Sequence, residues 1–283
     1  MRVRIDLRSA IRLSALVLAV GLLIGAAPAR ADWAGSSAIT TWDGGCSGAT
    51  RDWWDDMCMA WRQEMGAWGW TEWARNFDLV QGPRYADNSA RPWGVDDTGM
   101  GLDWNDVGMM CLHGGWSSGR WNGTLHDPDP DGSCAAQAPN MRVGGASGGW
   151  MRFLHLSSCN SIRYSQRTQW FAAASGVHLV TGFHGLMYIG YWYVGEYSDL
   201  ADEAMTSVGV GKTWLNDMYH ENHWYNVYKT VCPMTVGFGK TKSASHDAAN
   251  ERYLSHWGDP TPNWMTTRWI AGCDPDDGPK LPN

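Results

Sequence analysis

The sequence is poor in positive charge. It has 22 Lys and Arg residues against 29 Asp and Glu residues, a formal net charge of −7. Residues 1–31 carry five Arg and one Asp, so residues 32–283 have a net charge of −11. A domain that binds DNA or RNA needs a basic surface to contact phosphate groups. The sequence therefore argues against nucleic acid as a partner.

Long apolar runs are also scarce. A membrane-spanning helix needs roughly 20 consecutive apolar residues, and only residues 13–27 approach that length. Arg2, Arg4, Arg8 and Arg12 precede this run, and Ala29-Arg30-Ala31 follow it. A basic start, a short apolar run and small residues at the end are typical of a Sec-type signal peptide. We expect cleavage before Asp32, a secreted or periplasmic protein, and no membrane span in the mature chain.

The chain shows no internal repeat, no low-complexity segment and no linker that divides residues 32–283. We therefore expect a single monomeric domain, with a Trp-rich N-terminal part and a loop-rich C-terminal tail. Twenty Trp residues are an unusual number. Most are expected to pack over Gly-rich loops, although such rings also form stacking surfaces for sugars or contact surfaces for proteins.

Seven cysteines are present, which is an odd number. In an oxidising compartment up to six can form disulfides, and the seventh is a candidate reactive thiol. Cys46 with Cys58 and Cys232 with Cys273 are plausible bridges, but spacing alone leaves the connectivity open. We predict that Cys159 is the unpaired cysteine, and that a helix beginning beside it lowers the pKa of its thiol.

Hydrophobic patterning predicts alternating strands and helices. Three continuous apolar runs, at residues 107–112, 151–156 and 177–181, are typical of strands buried on both faces. Apolar residues at helical spacing predict helices within residues 51–73, 169–174 and 200–225. Strands that alternate with helices indicate a parallel sheet, so the predicted class is α/β, a three-layer sandwich with a mostly parallel central sheet.

Residues suited to thiol chemistry follow these predicted strands. His113-Gly114 come after the first strand, Ser158-Cys159-Asn160 after the second, and His184 after the third. Ligands and catalytic groups collect outside the carboxyl ends of parallel strands. If the first two strands are neighbours, an imidazole and a thiol reach the same edge of the sheet. A thiol attacks a carbonyl carbon when a nearby histidine accepts its proton.

An apolar block followed by His-Gly, and later an apolar block followed by a small residue and Cys, resembles the caspase, legumain and gingipain group of cysteine peptidases, clan CD. The sequence is also similar to secreted bacterial domains of unknown function with His-Gly and Ser-Ser-Cys motifs. The resemblance covers residues 104–214 and implies a caspase-like fold that cleaves protein or peptide substrates without a cofactor. It assigns Cys159 as nucleophile, His113 as catalytic imidazole, and the N–H groups of Gly114 and Cys159 as an oxyanion site. Ser158, Asn160 and His184 are secondary site candidates.

Two alternatives to the hydrolase remain open. One is a non-catalytic relative that binds protein or glycan through its Trp-rich loops. The other is a calcium-organised extracellular module, because Asp127, Asp129 and Asp131 before Gly132 copy the first half of a calcium-binding loop. Ala138 stands where the loop would need its bidentate Glu. Asp274, Asp276 and Asp277 are expected to form a solvated acidic tail.

Overall fold

The computed structural model describes residues 32–42, 44–75, 82–99, 101–206, 208–221, 229–255, 258 and 262–283. The predicted signal peptide, residues 1–31, lies outside the described residues. Within the described ranges, every helix is too short or too polar to cross a membrane. Three disulfides join six of the seven cysteines, as is usual for proteins of oxidising compartments.

The described chain contains ten strands and five α-helices. The strands are β1 (Trp33–Ala38), β2 (Thr71–Arg75), β3 (Val107–Cys111), β4 (Gly114–Ser117), β5 (Arg120–Thr124), β6 (Ala135–Ala136), β7 (Phe153–Ser157), β8 (Leu179–His184), β9 (Cys232–Gly239) and β10 (Trp264–Trp269). The α-helices are α1 (Trp53–Ala67), α2 (Gln169–Ala173), α3 (Tyr191–Thr206), α4 (Val210–Asp217) and α5 (Lys242–Ala248). Strands β2 to β7 are connected by loops and short 3-10 turns.

Seven of these strands form the central sheet, in the order β2-β1-β3-β7-β8-β9-β10. The first five are mutually parallel, while β9 runs antiparallel to β8, and β10 antiparallel to β9. The predicted α/β class and mostly parallel sheet are confirmed. Strands β4, β5 and β6 form a small antiparallel sheet directly after β3.

Alternate residues of the central strands enter two separate hydrophobic cores, one on each face of the sheet. On β3, Val107 and Met109 belong to one core, and Met110 belongs to the other. Helices α1, α3 and α4 cover the first face. The small sheet and α2 supply Trp121 and Trp170 to the second core. Because both faces of these strands are buried, their sequences are continuous apolar runs.

Helices were predicted within residues 51–73 and 169–174 and are present there as α1 and α2, although Thr71–Trp73 belong to β2. The single helix predicted over residues 200–225 is wrong in its bounds, because two helices share this segment. Helix α3 already begins at Tyr191 and ends at Thr206, and α4 is a separate helix from Val210 to Asp217. Gly209 has an extended backbone at the start of α4, which separates the two helices. Residues 222–228 lie outside the described residues. Only β3, β7 and β8 were predicted as strands, and the other seven strands of the described chain were not. Among these, β1 is rich in small residues and β10 is only partly buried.

Disulfide pairing agrees with the sequence only in part. The Cys232–Cys273 bridge is present as expected. The expected Cys46–Cys58 bridge is wrong, because Cys46 is bonded to Cys134 and Cys58 to Cys111. Cys58 faces the sheet from α1, and Cys111 ends β3. The Cys58–Cys111 bridge therefore ties the helix to the strand end that leads into His113.

A buried hydrogen-bond chain joins α1 to the sheet. His155 on β7 contacts the Thr181 hydroxyl through Nδ1 at 2.8 Å, and the Tyr253 hydroxyl through Nε2 at 2.7 Å. Trp61 of α1 donates its indole N–H to the same Tyr253 oxygen at 3.2 Å. Complete burial lowers the pKa of His155 to about 3, so the ring is neutral at physiological pH. His155 is a satisfied core residue, as expected from its position inside a strand.

Candidate functional site

The carboxyl ends of β3 and β7 lie side by side. Cys111 pairs with Ser157 in the parallel register, so His113 and Cys159 each lie two residues beyond a matched pair. The N–H of Leu112 donates a hydrogen bond to the Ser157 carbonyl at 3.3 Å, which extends the pairing past the strand end. The prediction that these two strands are adjacent and parallel is confirmed. The same edge of the sheet therefore receives an imidazole and a thiol.

Gly114 allows the chains that follow the two strands to touch. A Cβ atom at this position would overlap with the Ser158 hydroxyl oxygen and the Cys159 carbonyl oxygen. Trp121 fixes the same contact, because its indole N–H donates to the Ser158 hydroxyl at 3.1 Å. The His-Gly and Ser-Ser-Cys motifs are thus in direct van der Waals contact, and glycine is required there by lack of space.

Cys159 is the free cysteine, as predicted. Its sulfur is partly buried against the main chain of Met187, whose N–H lies 3.4 Å from Sγ and whose carbonyl oxygen lies 3.6 Å away. Burial raises the pKa of the Cys159 thiol, which is opposite to the lowering expected from the sequence. The expected helix start beside the cysteine is also wrong, since the next α-helix begins at Gln169. The resting group is therefore a neutral thiol.

This protonation state predicts a specific pH profile for alkylation by iodoacetamide. Thiolate is the reactive form, so a raised pKa should make folded Cys159 react more slowly at pH 7 than the same cysteine in guanidinium chloride. The rate in the folded protein should still rise above pH 9. Mass spectrometry of the alkylated protein over pH 5–10 gives both rates. Fast alkylation at pH 6 would instead indicate a resting thiolate–imidazolium pair.

His113 is held in a defined orientation and tautomer. Its ring packs against two indoles that also contact each other, and lies 4.5 Å from the Trp42 ring centroid and 4.8 Å from that of Trp54. Its Nε2–H donates to the Ala49 carbonyl at 2.7 Å, so in the neutral ring Nδ1 keeps a free lone pair. Burial lowers the pKa of His113, which keeps the ring neutral. A neutral, oriented imidazole with one free nitrogen is suited to accept a proton.

The secondary candidates have structural partners. Asn160 has a left-handed backbone, with φ of 57°, and its side-chain amide donates to Asp277 at 2.8 Å. Both ring nitrogens of His184 are engaged: Nδ1 accepts the Tyr164 N–H at 3.2 Å, and Nε2 donates to the Pro279 carbonyl at 2.8 Å. Ser158 is buried and accepts the Trp121 indole N–H. These residues shape the loops around Cys159 and anchor the C-terminal tail.

Sequence reasoning missed several groups at this edge. The Ala49 carbonyl is a backbone atom, and no side-chain pattern could have indicated its role. The acidic tail is not simply solvated, because Asp277 forms an ion pair with Arg163 at 3.0 Å, and Asp276 forms one with Lys229 at 2.7 Å. Asp276 also accepts a hydrogen bond from the Tyr188 hydroxyl at 3.2 Å. The tail therefore packs against the loops that follow β7 and β8.

An exposed aromatic surface flanks the site. It consists of Trp53 at the start of α1 with Tyr191 and Trp192 at the start of α3, which are 39%, 66% and 52% exposed. The rings of Trp53 and Tyr191 lie 6.0 Å apart, and those of Tyr191 and Trp192 lie 5.5 Å apart. Met187, which contacts Cys159, is four residues before Tyr191. We call these three side chains the aromatic surface.

No family model matches this chain, and no curated protein matches it. The function is therefore argued from the geometry.

The calcium loop predicted at residues 127–132 is not assembled as a single set of ligands. Asp127 lies 3.2 Å from Nδ1 of His126, and Asp131 lies 3.4 Å from the Arg91 guanidinium. Asp129 accepts the N–H groups of Asp131 at 3.0 Å and Ser133 at 2.8 Å through Oδ1. Each carboxylate has a different partner, and Asp129 serves to close its own turn.

Proposed function

We propose that this protein is a secreted cysteine hydrolase that cleaves peptide bonds, with Cys159 as nucleophile and His113 as general base. The observation that carries the proposal is the junction of the two strand ends: the one unpaired thiol and an oriented imidazole follow neighbouring parallel strands whose exit loops touch at Gly114. The clan CD resemblance of the two motifs supports the same assignment. The predicted signal peptide and the three disulfides support secretion.

Because Cys159 and His113 are both neutral at rest, the thiol must lose its proton during the attack on the substrate. As Sγ of Cys159 bonds to the substrate carbonyl carbon, the thiol proton passes to Nδ1 of His113. The N–H groups of Gly114 and Cys159 stabilise the oxyanion. His113 then protonates the departing amine, and the C–N bond breaks to leave a thioester. Water, deprotonated by His113, hydrolyses the thioester and restores the thiol. The Ala49 carbonyl stabilises the imidazolium formed in each cycle.

Access to Cys159 requires the thiol to leave its contacts with Met187. Those two contacts, at 3.4 and 3.6 Å to sulfur, are weak because sulfur is a poor hydrogen-bond donor and acceptor. A peptide lying along this edge reaches the aromatic surface, where Tyr191 and Trp192 offer apolar area to its side chains. This position favours substrates with apolar residues near the cleaved bond.

A non-catalytic binding module is the second candidate. The aromatic surface supports it, since contiguous exposed rings bind protein or glycan without chemistry at Cys159. The two candidates differ in one measurable property, which is acyl transfer to the thiol.

Acylation by p-nitrophenyl acetate tests the dyad with a minimal substrate. We expect a burst of one p-nitrophenolate per protein at pH 7.5, with the acetyl group recovered on Cys159. His113→Gln keeps an N–H donor for the Ala49 carbonyl but removes the base, and it should slow acylation by about 10²-fold. Stopped-flow absorbance and peptide mass mapping measure the two effects.

The matched control for that variant is His246→Gln. His246 is exposed on α5 and offers only its backbone carbonyl to Asn250 and Arg268, so its replacement should leave the burst unchanged. Equal burst rates in wild type and His113→Gln, with both variants folded, would contradict the role of His113. Absence of a burst in the wild-type protein would favour the binding module.

A further inference from the structure

Four acidic residues converge at the amino end of β3, in the segment between β2 and β3. Oxygen atoms of Asp87, Asp96 and Asp97 all lie within 4.8 Å of one another. Asp103, four residues before the start of β3 at Val107, accepts the N–H groups of Gly144 at 2.9 Å and Met151 at 3.0 Å. Asp103 therefore holds the backbone on one side and is hydrogen-bonded to the Asp97 side chain on the other, while the carboxylates of Asp87, Asp96 and Asp97 converge.

Two of the three converging carboxylates are almost fully buried. Asp87 and Asp96 are 1% and 2% exposed, and Asp97 is partly exposed. In the described part of the chain, no Lys or Arg forms an ion pair with any of the three. Burying an anion without a partner is strongly unfavourable. Burial, with the nearby charges of Asp97 and Asp87, raises the pKa of Asp96 to about 8.

Two of these side chains also leave an oxygen without a hydrogen-bond donor. Among the described residues, Oδ1 of Asp96 and Oδ1 of Asp97 are buried atoms with no partner. Buried polar atoms are almost always paired, and these two oxygens have lone pairs that a ligand can accept. Asp87 differs, because its Oδ1 accepts from the N–H and hydroxyl of Ser89, which leaves Oδ2 available.

Main-chain hydrogen bonds hold the turns that carry these carboxylates. The N–H of Asp96 donates to the Ala86 carbonyl at 3.2 Å, and the Asp96 carbonyl accepts from the Asp103 N–H at 3.0 Å. Gly94 and Gly101 permit this packing, since a Cβ at Gly94 would overlap with the Ala86 carbonyl and one at Gly101 with Asp96. A site fixed by main-chain bonds loses little entropy on binding a cation.

We propose that Asp87, Asp96 and Asp97 form a calcium site. All three ligands are oxygen, which selects a hard cation over zinc or copper. Two of them are almost fully buried, so the ion must give up much of its hydration shell on that side. Magnesium loses water reluctantly, whereas calcium accepts carboxylates in flexible geometry. Water reaches the remaining positions past the partly exposed Asp97.

The bound ion would join three segments: the turn at Asp87, the turn at Asp96–Asp97 and, through Asp103, the loop from Gly144 to Met151. It lies at the amino ends of β3 and β7, whereas His113 and Cys159 follow their carboxyl ends. The site is therefore structural, and it does not depend on the proposed hydrolase. Calcium should stabilise the fold without changing the reactivity of Cys159.

Thermal unfolding of the EDTA-treated, gel-filtered mature chain tests the site. We expect 1 mM CaCl2 to raise Tm by about 5 °C, 1 mM MgCl2 to raise it by less than half as much, and calorimetric titration to give one calcium per chain. Asp96→Asn and, separately, Asp97→Asn should weaken calcium binding by at least about tenfold. Because each variant can alter Tm by itself, the quantity compared is the calcium-dependent rise.

Asp127→Asn is the matched control, since Asp127 belongs to the other acidic loop and should retain the full calcium effect. The alkylation rate of Cys159 at 25 °C should be the same with and without calcium. The proposal is overturned if wild type shows no calcium-dependent rise, if both Asp96→Asn and Asp97→Asn retain it, or if Asp127→Asn alone removes it. An equal rise with magnesium would overturn the assignment of calcium.

Discussion

Replacing Cys159 by Ala or Ser is expected to reduce peptide-bond hydrolysis by at least about 10³-fold. The thiol supplies the bond-forming atom, so nothing in the site replaces it, and removal of a nucleophile in comparable hydrolases costs up to about 10⁶-fold in kcat. The hydroxyl introduced by Cys159→Ser would be a far weaker nucleophile beside a neutral His113, because a hydroxyl is much less acidic than a thiol. Hydrolysis of fluorescein-labelled casein and of a mixed peptide library provides the measurement.

Alkylation of the wild-type protein blocks the thiol without a substitution. Protein fully modified at Cys159 by iodoacetamide should be as inactive as Cys159→Ala, while all three disulfides remain. The melting temperatures should stay close to wild type, since Cys159 is only partly buried and forms two weak contacts. Hydrolysis that survives in both Cys159→Ala and the alkylated protein would place the activity at another residue.

The double variant Cys58→Ala/Cys111→Ala is expected to lose about 4 kcal/mol of unfolding free energy. The bridge closes a loop with a sequence separation of 53, and a loop of that length restricts the unfolded chain by about this amount. Both sulfurs are buried in the core between α1 and β3, so small cavities add to the loss. Urea unfolding followed by Trp fluorescence under non-reducing conditions measures the change.

The consequence should extend to His113. Cys111 lies two residues before it, and Cys58 lies one helical turn after Trp54, whose ring contacts the imidazole at 4.8 Å. Loosening α1 from β3 therefore disturbs the strand end that leads into His113 and the Trp54 ring that contacts the imidazole. We expect acylation of Cys159 to slow as well. Cys159→Ser, which removes a cysteine outside any bridge, is the control for stability. A double variant that unfolds within about 1 kcal/mol of this control would show that packing alone holds α1 on β3.

Prediction from sequence succeeded where the signal is local. The apolar runs at residues 107–112 and 151–156 identify two strands, because burial on both faces removes polar residues from the run itself. Parallel strands end at one edge, so the positions of His113 and Cys159 after their strands were enough to place them together. The odd number of cysteines ensured one unpaired thiol, and its place at a strand end indicated Cys159.

Only the tertiary structure decided which distant atoms meet around those residues. The pairing of Cys58 with Cys111 depends on how α1 packs on the sheet, and spacing along the chain does not record that packing. The Ala49 carbonyl is a backbone group and carries no residue signature. Burial raises the pKa of the Cys159 thiol, the reverse of the shift expected from the sequence, although the hydrogen bond from the Met187 N–H lowers it in part. The sequence does not record how deeply the folded chain buries this thiol. Asp87 lies close to Asp96 and Asp97 because main-chain hydrogen bonds fold the intervening turns back on themselves. Nothing in the spacing of these acidic residues along the sequence indicates this proximity.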